Sequence, residues 1–242
     1  MDGFADALRA AEQDAGGRGI GTLGEKTLHL ALKYYFAPDS STHEQKIGGY
    51  AADAVTEDGV IEVQTRALWR LKPKLRAFLP CTPVTVVYPA AEETQLVCVD
   101  EYGEVQSSRK SPKHKSVWHA MPEIVRLKEF LNDPRFRVCV AAVSVVQYYR
   151  QKSRGKREKL DRVPLSLNGI YMLSGAEDYL ALLPPEVSGE FTAGTLAAAL
   201  GIPRDCAAAF LMILRTTGAA AVAGKRGREV AVTLPAPPDA AL

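Results

Sequence analysis

The stretch YAADAVTEDGVIEVQTR, residues 50–66, constrains the fold more than any other part of the chain. Two short apolar runs flank Asp58-Gly59, the dipeptide that favours a two-residue type I′ hairpin turn. That turn predicts pairing of Glu57 with Val60, Val55 with Glu62 and Asp53 with Gln64. Side chains alternate along a strand, and directly opposed residues share a face. Asp53, Val55, Glu62 and Gln64 then lie on one side, and Ala54, Ile61, Val63 and Thr65 on the other. The second face suits a core. The first gathers two carboxylates and an amide, although carboxylates are poor strand formers and costly to bury without partners. Either this is the wet face of an antiparallel hairpin, or the acids converge on something that requires negative charge.

The flanking segments supply a context. Residues 2–14 read as a short helix ending at Gly16-Gly17, and GTLGEKTLHLALKYYF as an amphipathic helix stopped near Pro38. His43 to Ile47 is a brief strand candidate. After Arg66, ALWRLKPKLRAFLP reads as a helix with Leu68, Leu71, Leu75 and Phe78 on one side. PVTVVYPA is a strand of the buried type, QLVCVDEYGEVQSS a second hairpin, PEIVRLKEFLNDP a capped helix and FRVCVAAVSVVQYY another long apolar strand. Helices alternating with antiparallel and buried strands predict an α/β mixed sheet flanked by helices. The expected domains are a core over 1–150, a basic linker with a connecting helix over 151–186, and a small helical unit with a two-strand wing over 187–235.

Composition narrows the class of function. With 242 residues and 47% apolar content, the chain can bury a real core. A net charge of +2 is too mild to imply nucleic acid by itself, so the position of the charge must carry that argument. Cys81, Cys98, Cys139 and Cys206 form no CxxC and have mainly apolar neighbours, which predicts buried, reduced, structural thiols. The N-terminus carries acids and no apolar h-region, and no apolar run approaches the ~20 residues of a membrane span. A cytoplasmic location is expected.

Glu25, Asp53, Glu62 and Gln64 together give a pattern: a helical acid, then Asp, then Glu-x-Gln across a hairpin. This resembles the PD-(D/E)XK nuclease superfamily over roughly residues 20–90, and the element order matches its restriction-endonuclease-like core. Carried over position by position, Asp53 matches the motif Asp, Glu62 the second acid and Gln64 the Lys position. Glu25 matches the additional acid that many members carry on the first helix. The residue before Asp53 is Ala52 instead of Pro, and Gln64 replaces the Lys, as in certain restriction endonucleases of the superfamily. Some members supply that Lys from the following helix, which points to Lys72 or Lys74. Separately, the C-terminal region resembles a winged helix.

The resemblance implies Mg²⁺ (or Mn²⁺) and hydrolysis of DNA phosphodiester bonds. Mg²⁺ takes hard oxygen ligands and keeps several waters, so Asp53, Glu62 and the Val63 carbonyl suffice as a protein ligand set. The cation would activate water and neutralise charge developing on the phosphate. Gln64 can orient a water or phosphate oxygen but cannot act as a base; Lys74 is the candidate to compensate. His29, four residues after Glu25, is either a partner of this site or an ordinary helix-face histidine. Phosphate contacts are expected from Arg109, Lys110, Lys113 and Lys115 in RKSPKHK, and from Lys152, Arg154, Lys156 and Arg157 in RQKSRGKREK. The wing tip adds Lys225, Arg226 and Arg228. The expected recognition helix, Ala207 to Arg215, is nearly all apolar and has little with which to read base edges. The alternative is a non-catalytic DNA-binding or regulatory protein on a degenerate nuclease core. A homodimer is a further possibility, since many nucleases of this class pair subunits to cut two strands.

Overall fold

The computed structural model describes residues 3–14, 27–152 and 156–235. Helices α1 (Gly3–Asp14) and α2 (Thr27–Phe36) come first. A small ribbon, β1 (Lys46–Ile47) with β2 (Tyr50–Ala51), precedes the hairpin β3 (Ala54–Thr56) and β4 (Gly59–Val63). A 3₁₀ turn at Leu68–Leu71 runs into α3 (Lys72–Phe78). Then come the long strand β5 (Val84–Val99), β6 (Val105–Lys110), the short α4 (Met121–Ile124), and the long antiparallel pair β7 (Phe136–Gln151) and β8 (Arg157–Leu173). The C-terminal part is α5 (Ala176–Leu180), β9 (Glu190–Phe191), α6 (Ala193–Leu200), α7 (Arg204–Thr216), β10 (Ala221–Arg226) and β11 (Glu229–Thr233).

The central sheet has six strands in the order β3-β4-β5-β7-β8, with β6 also on β5. Strands β4, β5 and β7 are parallel, and the remaining pairs in this sheet are antiparallel. The expected α/β mixed sheet flanked by helices is what the chain forms. Helices α1 and α2 cover one face, where Phe4, Leu28 and Leu32 meet Ala54, Ile61, Val63, Val87 and Cys139. The other face packs Leu68, Leu75 and Phe78 with Val60, Val84, Val86, Met121 and Phe136. Pro73 is tolerated because it falls in the first turn of α3, where a backbone N–H has no helical acceptor.

The hairpin register differs from the expected one. Thr56 pairs with Gly59, Val55 with Val60 and Ala54 with Ile61, so the turn is Glu57-Asp58. Gly59 is needed elsewhere: its φ is +115°, and a Cβ there would lie 2.2 Å from the Pro83 carbonyl oxygen. That close approach lets Val60 N–H donate to Pro83 and start the parallel pairing with β5. The slip moves each partner by two residues, so every side chain keeps its expected face.

Other expectations are corrected. PVTVVYPA and QLVCV are one strand, β5. The helix expected over PEIVRLKEFLNDP is only the brief α4 with 3₁₀ turns on either side. The basic linker is not a linker: most of it is β8, an edge strand paired along β7. Its charges and Pro164 are what edge strands carry, because an edge faces water and has spare N–H positions. Nor do residues 187–235 bury a core of their own, since Phe191, Leu196, Phe210, Leu214 and Val232 join the cluster that contains Val84 and Phe136. Helix α7 buries Phe210, Ile213 and Leu214 in that cluster instead of presenting a reading face. Cys139 and Cys206 are buried, but Cys98 is half-buried and Cys81 exposed; all four are free thiols. Among the described residues no single helix is long and apolar enough to cross a membrane.

Candidate active site

β5 offers one edge to β7 along its whole length. Its other edge is shared: β4 pairs at Val84–Val87 and β6 at Gln95–Val99, which leaves a gap between them. The acidic pair lies at the β4 side of that gap. Just past β4 the N–H of Gln64 turns toward β5 and donates to the Val87 carbonyl. Val63 therefore turns its N–H and carbonyl toward β3, since both groups of one residue leave a strand on the same edge.

Asp53 occupies that edge just before β3 begins. Its Oδ2 accepts from Val63 N–H at 2.8 Å and so substitutes for the carbonyl a longer β3 would provide. Its own N–H donates to Glu62 Oε1 at 3.2 Å. His29 Nε2, from α2, lies 3.1 Å from Asp53 Oδ2; a carboxylate can only accept, so that nitrogen carries the proton. Lys74 Nζ donates to both Glu62 oxygens, at 3.0 and 2.9 Å. A pocket of about 390 Å³ opens here, lined by these groups together with Gln64, Tyr50 and Arg70.

Burial, and then the negative charge of Asp53, push the Glu62 carboxyl up to about 7; Lys74 offsets only part of this. Burial alone would raise Asp53 too, but the His29 hydrogen bond and charge, the Val63 N–H and Lys74 outweigh it, and Asp53 falls below its ordinary value. Two carboxylates whose environments push them apart are a recurrent mark of a working site. With both carboxyls ionised, the pair carries two negative charges, and Lys74 alone offsets only part of them. A hard divalent cation complements that charge, and two carboxylates with the Val63 carbonyl on the same edge are oxygen donors of the right kind. Such a cation requires Lys74 to release one Glu62 oxygen. Among the described residues no group of three or more His, Cys, Asp or Glu forms a ready-made metal cluster.

The structure thus brings Asp53, Glu62, Val63, Gln64 and Lys74 together, while Glu25 and Arg154 lie outside the described residues. Gln64 lines the pocket, but its Nε2 donates to the Arg66 carbonyl at 2.7 Å, which diverts it from the water-orienting role expected of it. Lys74 is in the pocket, whereas Lys72 points to Glu129 at 3.3 Å. His29 is the residue that sequence reasoning underrated. Its helical spacing from Glu25 was the available signal, but only the packing of α2 against β4 aims it at Asp53.

The basic residues divide. Arg109 and Lys110 are exposed on β6, and the loop after them fills the gap on β5: Ser111 N–H donates to Thr94 and Lys115 N–H to Ala91. Lys113 and Lys115 therefore lie on the β5 edge that also receives Gln64 at Val87, roughly 13 Å away at about 3.3 Å per residue. Desolvation, then the charges of Arg162 and Lys159, lower the Lys115 pKa. Arg162 and Lys159, from β8, were not expected in this cationic group. Lys152, Lys156 and Arg157 are exposed at the β7–β8 turn, where Lys152 meets Glu158 and Arg157 covers Tyr149. Lys225, Arg226 and Arg228 are exposed on the C-terminal hairpin, with Arg226 paired to Glu190.

Comparison with known proteins adds kinship. No solved structure matches the chain. A protein of Treponema pallidum (strain Nichols), described as an uncharacterized protein, is 33% identical over 219 residues, covering 86% of this chain and 85% of its own length. Residues 26–173 match the family described as "Domain of unknown function (DUF8091)", a span that runs from the start of α2 to the end of β8 and holds the whole acidic pocket. The chain belongs to that DUF8091 family.

Proposed function

We propose that the protein is a metal-dependent nuclease that hydrolyses DNA phosphodiester bonds in the pocket at the end of β4. One observation carries the reading: half-buried Asp53, just before β3, lies against buried Glu62 on β4 beside an open pocket, with its N–H on Glu62 and Lys74 on the same carboxylate. Burying Glu62 that close to a second carboxylate is unfavourable for folding alone, which supports a role in holding charge. The arrangement also agrees with the PD-(D/E)XK resemblance, in which these two acids hold the cation. A Mg²⁺ or Mn²⁺ bound by Asp53, Glu62 and the Val63 carbonyl would neutralise phosphate charge and lower the pKa of a water. Asp53 is oriented for this by His29 and Val63 N–H. Lys74, once it yields one Glu62 oxygen, keeps its ammonium in the pocket to hold a phosphate oxygen or the attacking water. It thereby fills the position that Gln64 leaves empty of charge.

The C-terminal order helix, strand, helix, helix, hairpin supports reading residues 187–235 with α5 as a winged helix whose tip, Lys225, Arg226 and Arg228, touches phosphates. With α7 turned inward, this part adds affinity and no base reading. The test is cleavage of a panel of single-stranded, duplex and branched DNA with Mg²⁺ or Mn²⁺. Glu62→Ala should reduce cutting at least about 100-fold, as for other losses of transition-state charge stabilisation. Cutting that survives the substitution would contradict the assignment.

A second reading is a non-catalytic DNA-binding protein on a degenerate nuclease core. It is favoured by Gln64, whose amide is engaged by Arg66, and by the double hold of Lys74 on Glu62. It predicts salt-dependent DNA binding without cleavage, unchanged by Glu62→Ala.

A further inference from the structure

The short segment between β4 and α3 turns unusual side chains outward beside the pocket. Leu68 and Leu71 are buried, and Leu68 N–H donates to Glu123 Oε2 at 3.0 Å, so the segment is anchored. It is entered through Ala67, a non-glycine residue at φ +55°. Anchored this way, it leaves Trp69 53% exposed and Arg70 against it, with the guanidinium 5.5 Å from the indole centroid. Arg70 lines the acidic pocket, as does Tyr50, itself 42% exposed and held edge-on against Phe78. Arg66 and Arg70 are exposed and take part in no salt bridge among the described residues, although nearby Lys72 and Arg76 both engage Glu129. Folding therefore accounts for the two side chains that pair with Glu129, whereas among the described residues the side chains of Arg66, Trp69 and Arg70 make no salt bridge or hydrogen bond.

We infer that Trp69, Tyr50, Arg66 and Arg70 form a platform for an unpaired nucleic-acid strand entering the Asp53–Glu62 pocket. Aromatic faces stack on bases of any sequence, and arginines meet the phosphates between them. In a duplex each base face is covered by its neighbour, so an exposed indole has nothing to stack on. The substrate is thus a single strand, or a junction that carries at least one unstacked base at the site. This names the substrate class for the nuclease reading and rests on that reading for the chemistry, but not for the binding.

The test is binding of fluorescently labelled oligothymidylate to the full chain in EDTA, followed by anisotropy and by tryptophan emission. The same oligonucleotide annealed to its complement, and an oligouridylate, serve as the other arms. The expected result is quenching that Trp69→Ala removes, an affinity about tenfold weaker in Trp69→Ala with most of it kept in Trp69→Phe, and weaker duplex binding. Because Trp69 is exposed, its substitution leaves the core intact. Equal binding of single strand and duplex, or equal binding by wild type and Trp69→Ala, would overturn the inference. Cleavage is read separately, with metal, on the same oligonucleotides. Stacking without cleavage would remove the nuclease reading and keep the platform; Glu62-dependent cutting indifferent to Trp69 would do the reverse.

Discussion

The two halves of β5 differ although they form one continuous strand. Val84–Ala91 is buried at every position between two helical layers, whereas from Glu92 to Leu96 half-buried and exposed residues alternate, burial returns only at Val97 and Val99, and the flanking β6 is wholly exposed. The first half belongs to the core. The second, with the far ends of β7 and β8, is a ribbon held by the small cluster of Val97, Val99 and Val146. The acidic pocket and the basic loop both lie where one half gives way to the other. There the edge of β5 has lost β4 and not yet gained β6, and polar groups reach the sheet without a whole strand covering them. The lesson is that stability and chemistry are divided along a single strand, and each half should answer to different perturbations.

The largest effect should come from the buried half. Phe136→Ala, which removes a fully packed ring, should cost about 3–5 kcal/mol, while Val97→Ala in the ribbon should cost roughly 1 kcal/mol. Denaturant midpoints with unchanged slopes would check both; equal losses would break the division.

At the boundary, ionised Glu62 should work against folding. The Glu62 carboxyl lies at about 7 in the folded protein, above its ordinary 4.5, so the folded state holds that proton more tightly than the unfolded one. Its stabilising contribution is complete below about pH 4.5 and lost as pH rises through 7. In EDTA, wild type should lose roughly 1–3 kcal/mol between pH 5 and 8. Glu62→Gln should flatten that dependence and be the more stable protein at pH 8. Urea unfolding at the two pH values decides it, and a wild type equally stable at both would contradict the burial argument.

On the exposed side, Lys113→Ala and Lys115→Ala should leave stability within about 0.5 kcal/mol. Each residue that touches a phosphate should lower the salt slope of DNA binding by about 1. An unchanged slope would exclude the loop from the interface. The smallest effect concerns the entry to the aromatic segment. Ala67 is held in a left-handed conformation that costs a non-glycine residue about 1–2 kcal/mol, so Ala67→Gly should stabilise by up to about 1 kcal/mol in a thermal melt.

How much of this was legible in the sequence depended on whether the signal was local. The faces of the β3–β4 hairpin were legible because alternation is a property of each strand alone, and they survived a register slip that only the contact of Gly59 with Pro83 explains. The meeting of Asp53 and Glu62 followed from those faces. Lys74 was nameable but not separable from Lys72, since only the packed helix shows which one points to Glu62 and which to Glu129. β8 was missed because an exposed edge strand with charges and a proline has the composition of a loop. The inward face of α7 was misjudged in role, though its apolar sequence already argued against base reading.

The most direct test of the central claim, that the buried acids are kept to hold a divalent cation, is calorimetric titration of Mn²⁺ into the protein without DNA. Wild type is expected to bind at a site that Asp53→Ala and Glu62→Ala each remove, with proton release at pH 7 as Glu62 gives up its proton to the metal. Absence of binding in wild type, or binding unchanged in both variants, would contradict the account.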